Sequence, residues 1–315
     1  MKDNEEPAAD RQPPRVRRFD AGSAEEAKSW QSQCRRGLAA GQALSGFLET
    51  RADAPLNATI TGTEDVGHST FFRMTFDVTP EWTAEALLTV PKKGGRFPAV
   101  VCVHGVKEDV YPQTEHCVWP HADKRIRGGG KPYGPALAER GFVTIAADFG
   151  APAPDAGGRA LSNGAERIQV GMRLVDCLCA RDDVDAGRIG AVGICKWAVV
   201  ACHLAALHPR IRAVVSACTL MRDQHGVPFP MAGADLPPFD LPDLYGLLAA
   251  RPLLCQFGEA DPMRPQYPTE AEIEETRRRY VMLGGRREDV EVLWHAGGHT
   301  ADPGSLAGFF EKALE

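Results

Sequence analysis

The stretch R-I-G-A-V-G-I-C-K-W (188–197), followed by A-V-V-A-C-H-L-A-A-L-H (198–208), decides the fold. Residues 188–194 form a short apolar run, as expected of a strand buried on both faces. Residues 196–208 read as a helix, so 193–197 must be a sharp strand-to-helix turn. Gly193 leaves room for that turn, which lifts the Cys195 side chain above the sheet. The helix starting at Lys196 points its N-terminus at the thiol, an arrangement that favours a thiolate and a developing oxyanion.

Working outward, the same alternation recurs. Strands are expected at 98–105, 142–148, 211–217, 251–258 and 290–294, and helices at 134–140, 165–181, 268–284 and 303–314. Strands alternating with helices predict a mostly parallel central sheet with helices on both faces. Before this block, 57–90 reads as three antiparallel strands. Residues 23–49 read as helical, with Ser23 and Glu26 spaced as a capping box. The expected organisation is a flexible tail over 1–20, a helical extension over 21–50 and one α/β domain over 51–315. Insertions near 106–132 and 219–247 interrupt that domain at strand ends.

The 315 residues carry 36 basic and 42 acidic side chains, a net charge of −6. Ordinary globular composition excludes a disordered or fibrous chain, and the acidic balance argues against a nucleic-acid binder. No apolar run reaches the roughly 20 residues of a membrane span. The acidic start M-K-D-N-E-E-P is not followed by an apolar core, so it does not read as a secretory signal. The nine cysteines are odd in number and sit mostly in apolar runs. They read as reduced core thiols of a cytoplasmic protein, with Cys195 the exception. No metal site is expected: H-C-V-W-P-H (116–121) matches no strong zinc spacing. No cofactor is expected either, since G-G-G (128–130) does not follow a strand as a phosphate loop would.

In open parallel sheets chemistry is sought at the carboxyl ends of the strands. F-G-E-A-D-P (257–262) supplies Asp261 there, and W-H-A-G-G-H-T (294–300) supplies His299. Glu259 and His295 are the neighbouring alternatives. Nucleophile, acid and histidine thus follow in the order of a hydrolase triad. The expected oxyanion donors are the backbone N–H groups of Lys196 and of Val106, which follows His104-Gly105.

These residues together resemble the α/β-hydrolase superfamily. V-H-G, the elbow at 193–197, G-x-x-D-P and G-G-H appear in the family's order. Y-G-P-A-L-A-E-R-G-F-V-T-I-A-A-D and H-P-R-I-R-A-V-V-S-A make the chain similar to the dienelactone-hydrolase and acetyl-xylan-esterase-like branch over about 80–315. The resemblance implies an α/β-hydrolase fold, a small-molecule acyl substrate and a homodimer contact through the N-terminal helix. Most esterases of this branch have serine at position 195, whereas dienelactone hydrolases have cysteine. The latter also place an acid near the resting thiol, where Glu108 or Asp109 stands here. The family prefers glycine two residues after the nucleophile. This chain has Trp197, whose indole must either bend the elbow or fill space near the acyl site.

The two insertions are expected to form a lid and pocket, with Trp119, Met221, Arg222 and His225 joining His104 and Trp197 against substrate. Their aromatic and cationic mixture suits an acyl group carrying a carboxylate. Three readings result: a hydrolase of a small ester, lactone or thioester; an acyltransferase or cyclase on the same triad; and a non-catalytic binding protein whose pocket Trp197 closes.

Overall fold

The computed structural model describes residues 19–40, 42–103, 133–147, 164–220 and 241–315. Nine strands form one sheet: β1(Thr59–Asp65), β2(Ser69–Thr79), β3(Trp82–Pro91), β4(Phe97–Val103), β5(Val143–Ala147), β6(Val184–Ile194), β7(Ile211–Ala217), β8(Leu253–Gly258) and β9(Val290–His295). Their order is β1-β2-β3-β5-β4-β6-β7-β8-β9. From β5 to β9 every pairing is parallel, while β1, β2 and β3 continue the sheet antiparallel. β5 and β8 are buried along their whole length, as strands covered on both faces should be. This is the mostly parallel, two-sided architecture expected from the alternation, and it is the α/β-hydrolase fold that the resemblance implies.

The order of β4 and β5 places the site. The chain leaves β4 through α3(Tyr133–Glu139) toward β5. It returns from β5 through α4(Gly164–Cys179) to β6 and moves on through α5(Lys196–Leu207) to β7. Crossovers are right-handed, so connections running opposite ways along the sheet lie on opposite faces. α3 accordingly packs with α8(Pro303–Ala313), and α4 with α5. The switch falls between β4 and β6, where Val103 lies opposite Gly193. A crevice opens beyond the strand ends at such a point. α5 is apolar on every side and correspondingly buried.

The N-terminal stretch is helical, as expected, and the residue at 19 that precedes it is buried. The helical stretch is two helices, α1(Ala24–Ala39) and α2(Gln42–Thr50), and the predicted capping box of Ser23 and Glu26 forms. Phe19, within the expected tail, is buried edge-on against Trp30 at 5.0 Å, and its N–H donates to Asp243. An aromatic side chain with a core to enter outweighs the charged composition around it. The buried face of α1 packs against its own chain. Gln31 Nε2 donates to the carbonyls of Gly246 and Ala249, and Arg35 to that of Leu247.

Those acceptors lie at the end of the expected second insertion. Residues 241–247 are not a loop: α6(Leu241–Gly246) is wholly buried, and Tyr245 Oη bonds Ser216 Oγ at 2.8 Å. Pro242 obscured this helix in the sequence, although proline is tolerated in a first turn. Residues 106–132 and 221–240, hence most of both insertions, lie outside the described residues. Among the described residues, no helix is long and apolar enough to cross a membrane.

One buried cation ties the N-terminal loop to the sheet. Arg173 on α4 is 2% exposed and donates to the carbonyls of Arg51, Ala54, Pro55 and Asp77. Arg173→Leu leaves these part-buried acceptors without their donor; a fully buried unsatisfied group costs about 1–3 kcal/mol, and these cost less because water reaches some of them. With partial relaxation a total loss of about 3–5 kcal/mol is expected. Urea unfolding checks it, and an unchanged midpoint would show that water replaces the guanidinium.

Candidate active site

The turn after β6 has little conformational choice. Cys195 adopts φ 57°, ψ −128°, a conformation L residues rarely take, and its N–H donates to Ala217 O at 2.8 Å. Holding such a residue costs about 1–3 kcal/mol, repaid by the surrounding packing. A Cβ at Gly193 would meet Trp197 O at 2.4 Å and Ala198 N at 2.6 Å. Both obstacles are backbone, so only glycine permits α5 to start this close to β6. Cys195 is half-buried and stands as the N-cap of α5. The first N–H groups of a helix lack intrahelical acceptors, and Lys196 supplies the first of them. The Trp197 indole is buried beneath Arg167, whose Cζ lies 4.8 Å from the ring centroid.

Two strands farther along, the acid and histidine loops are joined by backbone bonds. Glu259 N–H donates to His295 O at 2.8 Å and Ala260 N–H to Gly297 O at 3.0 Å. A Cβ at Gly258 would lie 2.0 Å from Gly298 O. The missing side chain lets the two loops touch. Across the junction His299 Nδ1 and Asp261 Oδ2 are 2.6 Å apart, with both residues buried. Asp261 Oδ1 accepts the Met263 N–H at 2.8 Å. Of the alternatives, Glu259 is exposed, and His295 Nδ1 accepts the Gly297 N–H at 3.1 Å. Buried Gln256 on β8 fixes the exit from the histidine loop by bonding both the N–H and the carbonyl of Asp302.

Two more groups at this junction were not singled out in the sequence. Tyr267 Oη donates to the same Oδ2 of Asp261, delivered by a short 3₁₀ turn over Arg264–Gln266. Cys218, directly after β7, has φ 48° and donates its thiol to Thr300 O at 3.4 Å. Cys218, Asp261 and His299 present polar atoms all within 4.8 Å of one another. Burial pushes the Cys218 thiol up to about 12; Tyr267 opposes the shift and the Asp261 charge adds to it.

The structure therefore brings Asp261 and His299 together and sets Cys195 at the end of β6, with β7 between it and β8. His104, Val106, Glu108, Asp109, Trp119, Met221, Arg222 and His225 lie outside the described residues. The eight described cysteines are all free thiols, and all but Cys179 and Cys195 are buried.

No protein-family model matches the chain, and no curated protein matches it by sequence. Solved structures do share its fold. A glucuronoyl esterase from Teredinibacter turnerae superposes with a TM-score of 0.65 at 15% identity, over 92% of this chain and 86% of that one. A glucuronoyl esterase from Solibacter usitatus gives 0.62 at 16%, over 92% and 94%. A putative acetyl xylan esterase from Bacteroides fragilis gives 0.62 at 15%, over 87% and 76%. At such identities the likeness establishes an α/β-hydrolase fold of the kind found in esterases.

The elbow geometry makes a prediction with an internal control. Gly193→Ala drives a methyl into backbone and should lose about 1–3 kcal/mol of stability. Gly37→Ala meets nothing within 4 Å and should gain about 0.4–1 kcal/mol. Equal urea midpoints for the two variants would contradict the packing at the elbow.

Proposed function

We propose that the protein hydrolyses a small ester, lactone or thioester through an acyl-enzyme on Cys195. The observations that carry this are Cys195 at positive φ at the start of α5, on the carboxyl edge of the sheet, and a histidine held by a carboxylate on the loops after β8 and β9 of the same edge. An ionised Asp261 accepts at Oδ2, so His299 carries its proton on Nδ1. Nε2 is then the basic nitrogen that takes the thiol proton. The thiolate attacks the acyl carbon, and the oxyanion is received by the N–H groups of Lys196 and Val106. The imidazolium protonates the leaving group as the tetrahedral species collapses. Water, deprotonated by the same nitrogen, then cleaves the thioester and restores the thiol. Asp261 stays ionised throughout and stabilises the imidazolium.

The esterases that share the fold support the ester class, and cysteine at the elbow favours the dienelactone-hydrolase side of the resemblance. A thiol nucleophile also suits acyl transfer. The free cysteines fit a reducing, cytoplasmic compartment.

A second reading makes Cys218 the nucleophile, and its closeness to Asp261 and His299 favours it. Against it stand full burial, a thiol directed at Thr300 O and a pKa raised to about 12. The test is intact mass and peptide mapping after brief exposure to p-nitrophenyl acetate and to an acetyl thioester. A decaying adduct on Cys195, absent from Cys195→Ala, is expected. An adduct persisting until an amine or alcohol is added would identify an acyltransferase; one mapped to Cys218 would establish the second reading. No adduct on any cysteine would leave a binding protein.

Turnover should vanish in Cys195→Ala. It should fall roughly 10⁴-fold in Asp261→Asn and further in His299→Ala. Steady-state kinetics on whichever ester labels the wild type checks the order, and full activity in Cys195→Ala would end the mechanism.

A further inference from the structure

We propose that Tyr267 is a positioning residue that tunes His299 by sharing the carboxylate oxygen on which the imidazole depends. This rests on the reading of Asp261 and His299 as a catalytic pair. A carboxylate that serves only to orient a histidine needs one oxygen for it and some support for the other. Asp261 has both: Oδ2 faces His299 Nδ1 at 2.6 Å, and Oδ1 accepts the Met263 N–H at 2.8 Å. The phenol of Tyr267 is a third donor, and it is aimed at Oδ2, the oxygen already in use.

The placement of Tyr267 is well determined by its surroundings. The side chain is 6% exposed, and its ring lies 4.7 Å from that of Phe257 and 6.1 Å from that of Trp294. Its backbone follows the 3₁₀ turn, where Tyr267 N–H donates to Arg264 O at 3.1 Å. Burial holds its hydroxyl protonated, with Cys218 and Asp261 acting in the same direction, so it remains a donor. Cys218 donates to Thr300 O, next to His299. The end of β7 thus touches the histidine loop.

A hydrogen bond to the ionised form of a carboxylate draws off its charge. With two donors on one oxygen, less negative charge remains for the imidazolium, and His299 is a weaker base than with Asp261 alone. A weaker base returns its proton to the leaving group more readily. The other titratable groups beside His299 among the described residues are Cys218 after β7, and His295 and Asp302 on its own stretch of chain. None of these is altered by the changes below, and Cys195 is alanine in every protein compared.

The test is the pH titration of His299 by NMR in the full chain labelled with ¹⁵N-histidine. It is run on a Cys195→Ala background, so no thiolate charge intervenes. Tyr267→Phe keeps the ring and deletes the donor; the His299 midpoint should rise relative to the same protein with Tyr267 intact. Replacing Tyr267 with 3-fluorotyrosine makes the phenol a stronger donor, and the midpoint should fall. Shifts of opposite sign support the tuning role, which simple packing does not produce. An unmoved midpoint, or movement in the same direction in both proteins, overturns it. Should Tyr267→Phe fail to fold, the fluorotyrosine protein decides alone. The titration needs no substrate, so absence of an acyl adduct on Cys195 would reject the hydrolase reading while leaving this result to stand by itself.

Discussion

Everything at the candidate site depends on how closely α5 can start against the end of β6. Where a Cβ on Gly193 would sit, the backbone of Trp197 and Ala198 lies within 2.6 Å. That approach forces the chain to turn within one residue, so Cys195 takes a left-handed conformation. The cost is offset by the Cys195 N–H bond to Ala217 O and by an apolar helix buried on all sides. The large side chain at 197 is compatible with this because the contact at Gly193 is made by backbone, while the indole packs beneath Arg167. Bulk matters at this elbow only in the direction it points.

A second close approach, at Gly258, does the same for the other half of the site. The carbonyls of Gly297 and Gly298 occupy the space a side chain would need. With the two backbone bonds beside it, this joins the acid loop to the histidine loop before any side chain is considered. The Asp261–His299 pair is therefore positioned chiefly by backbone, and Gln256 and Tyr267 refine it. A loop positioned by main-chain bonds can hold an imidazole within a few tenths of an ångström, as proton transfer requires.

The sequence made the sheet legible because its inner strands are continuous apolar runs, and such runs need no partner to be recognised. The elbow was legible for a related reason: a glycine between a buried strand and an apolar helix has few other uses. What lay hidden depends on where chains meet. Tyr267 follows two prolines in D-P-M-R-P-Q-Y, with no period to show that it returns to the carboxylate six residues back. Cys218 was read as core filler and is indeed buried, but its backbone conformation and its neighbours emerge only from the alignment of β7 with β8. The sole available hint was its position just past a strand on the active edge. Phe19 was masked by surrounding charge, and α6 by a proline that its first turn accepts.

Cys195 and Cys218 show how one residue type is divided by environment. They directly follow Ile194 and Ala217, which lie opposite each other on adjacent parallel strands, and both have positive φ. Cys195 faces the N-terminal end of a helix and is partly open, conditions that favour the thiolate. Cys218 is fully buried, beside an aspartate, with its proton directed at a carbonyl, conditions that oppose it. Two thiols at neighbouring strand ends thus need not compete for one histidine. In the proposed mechanism one gives its proton to His299, while the other keeps its proton and holds the loop on which His299 stands.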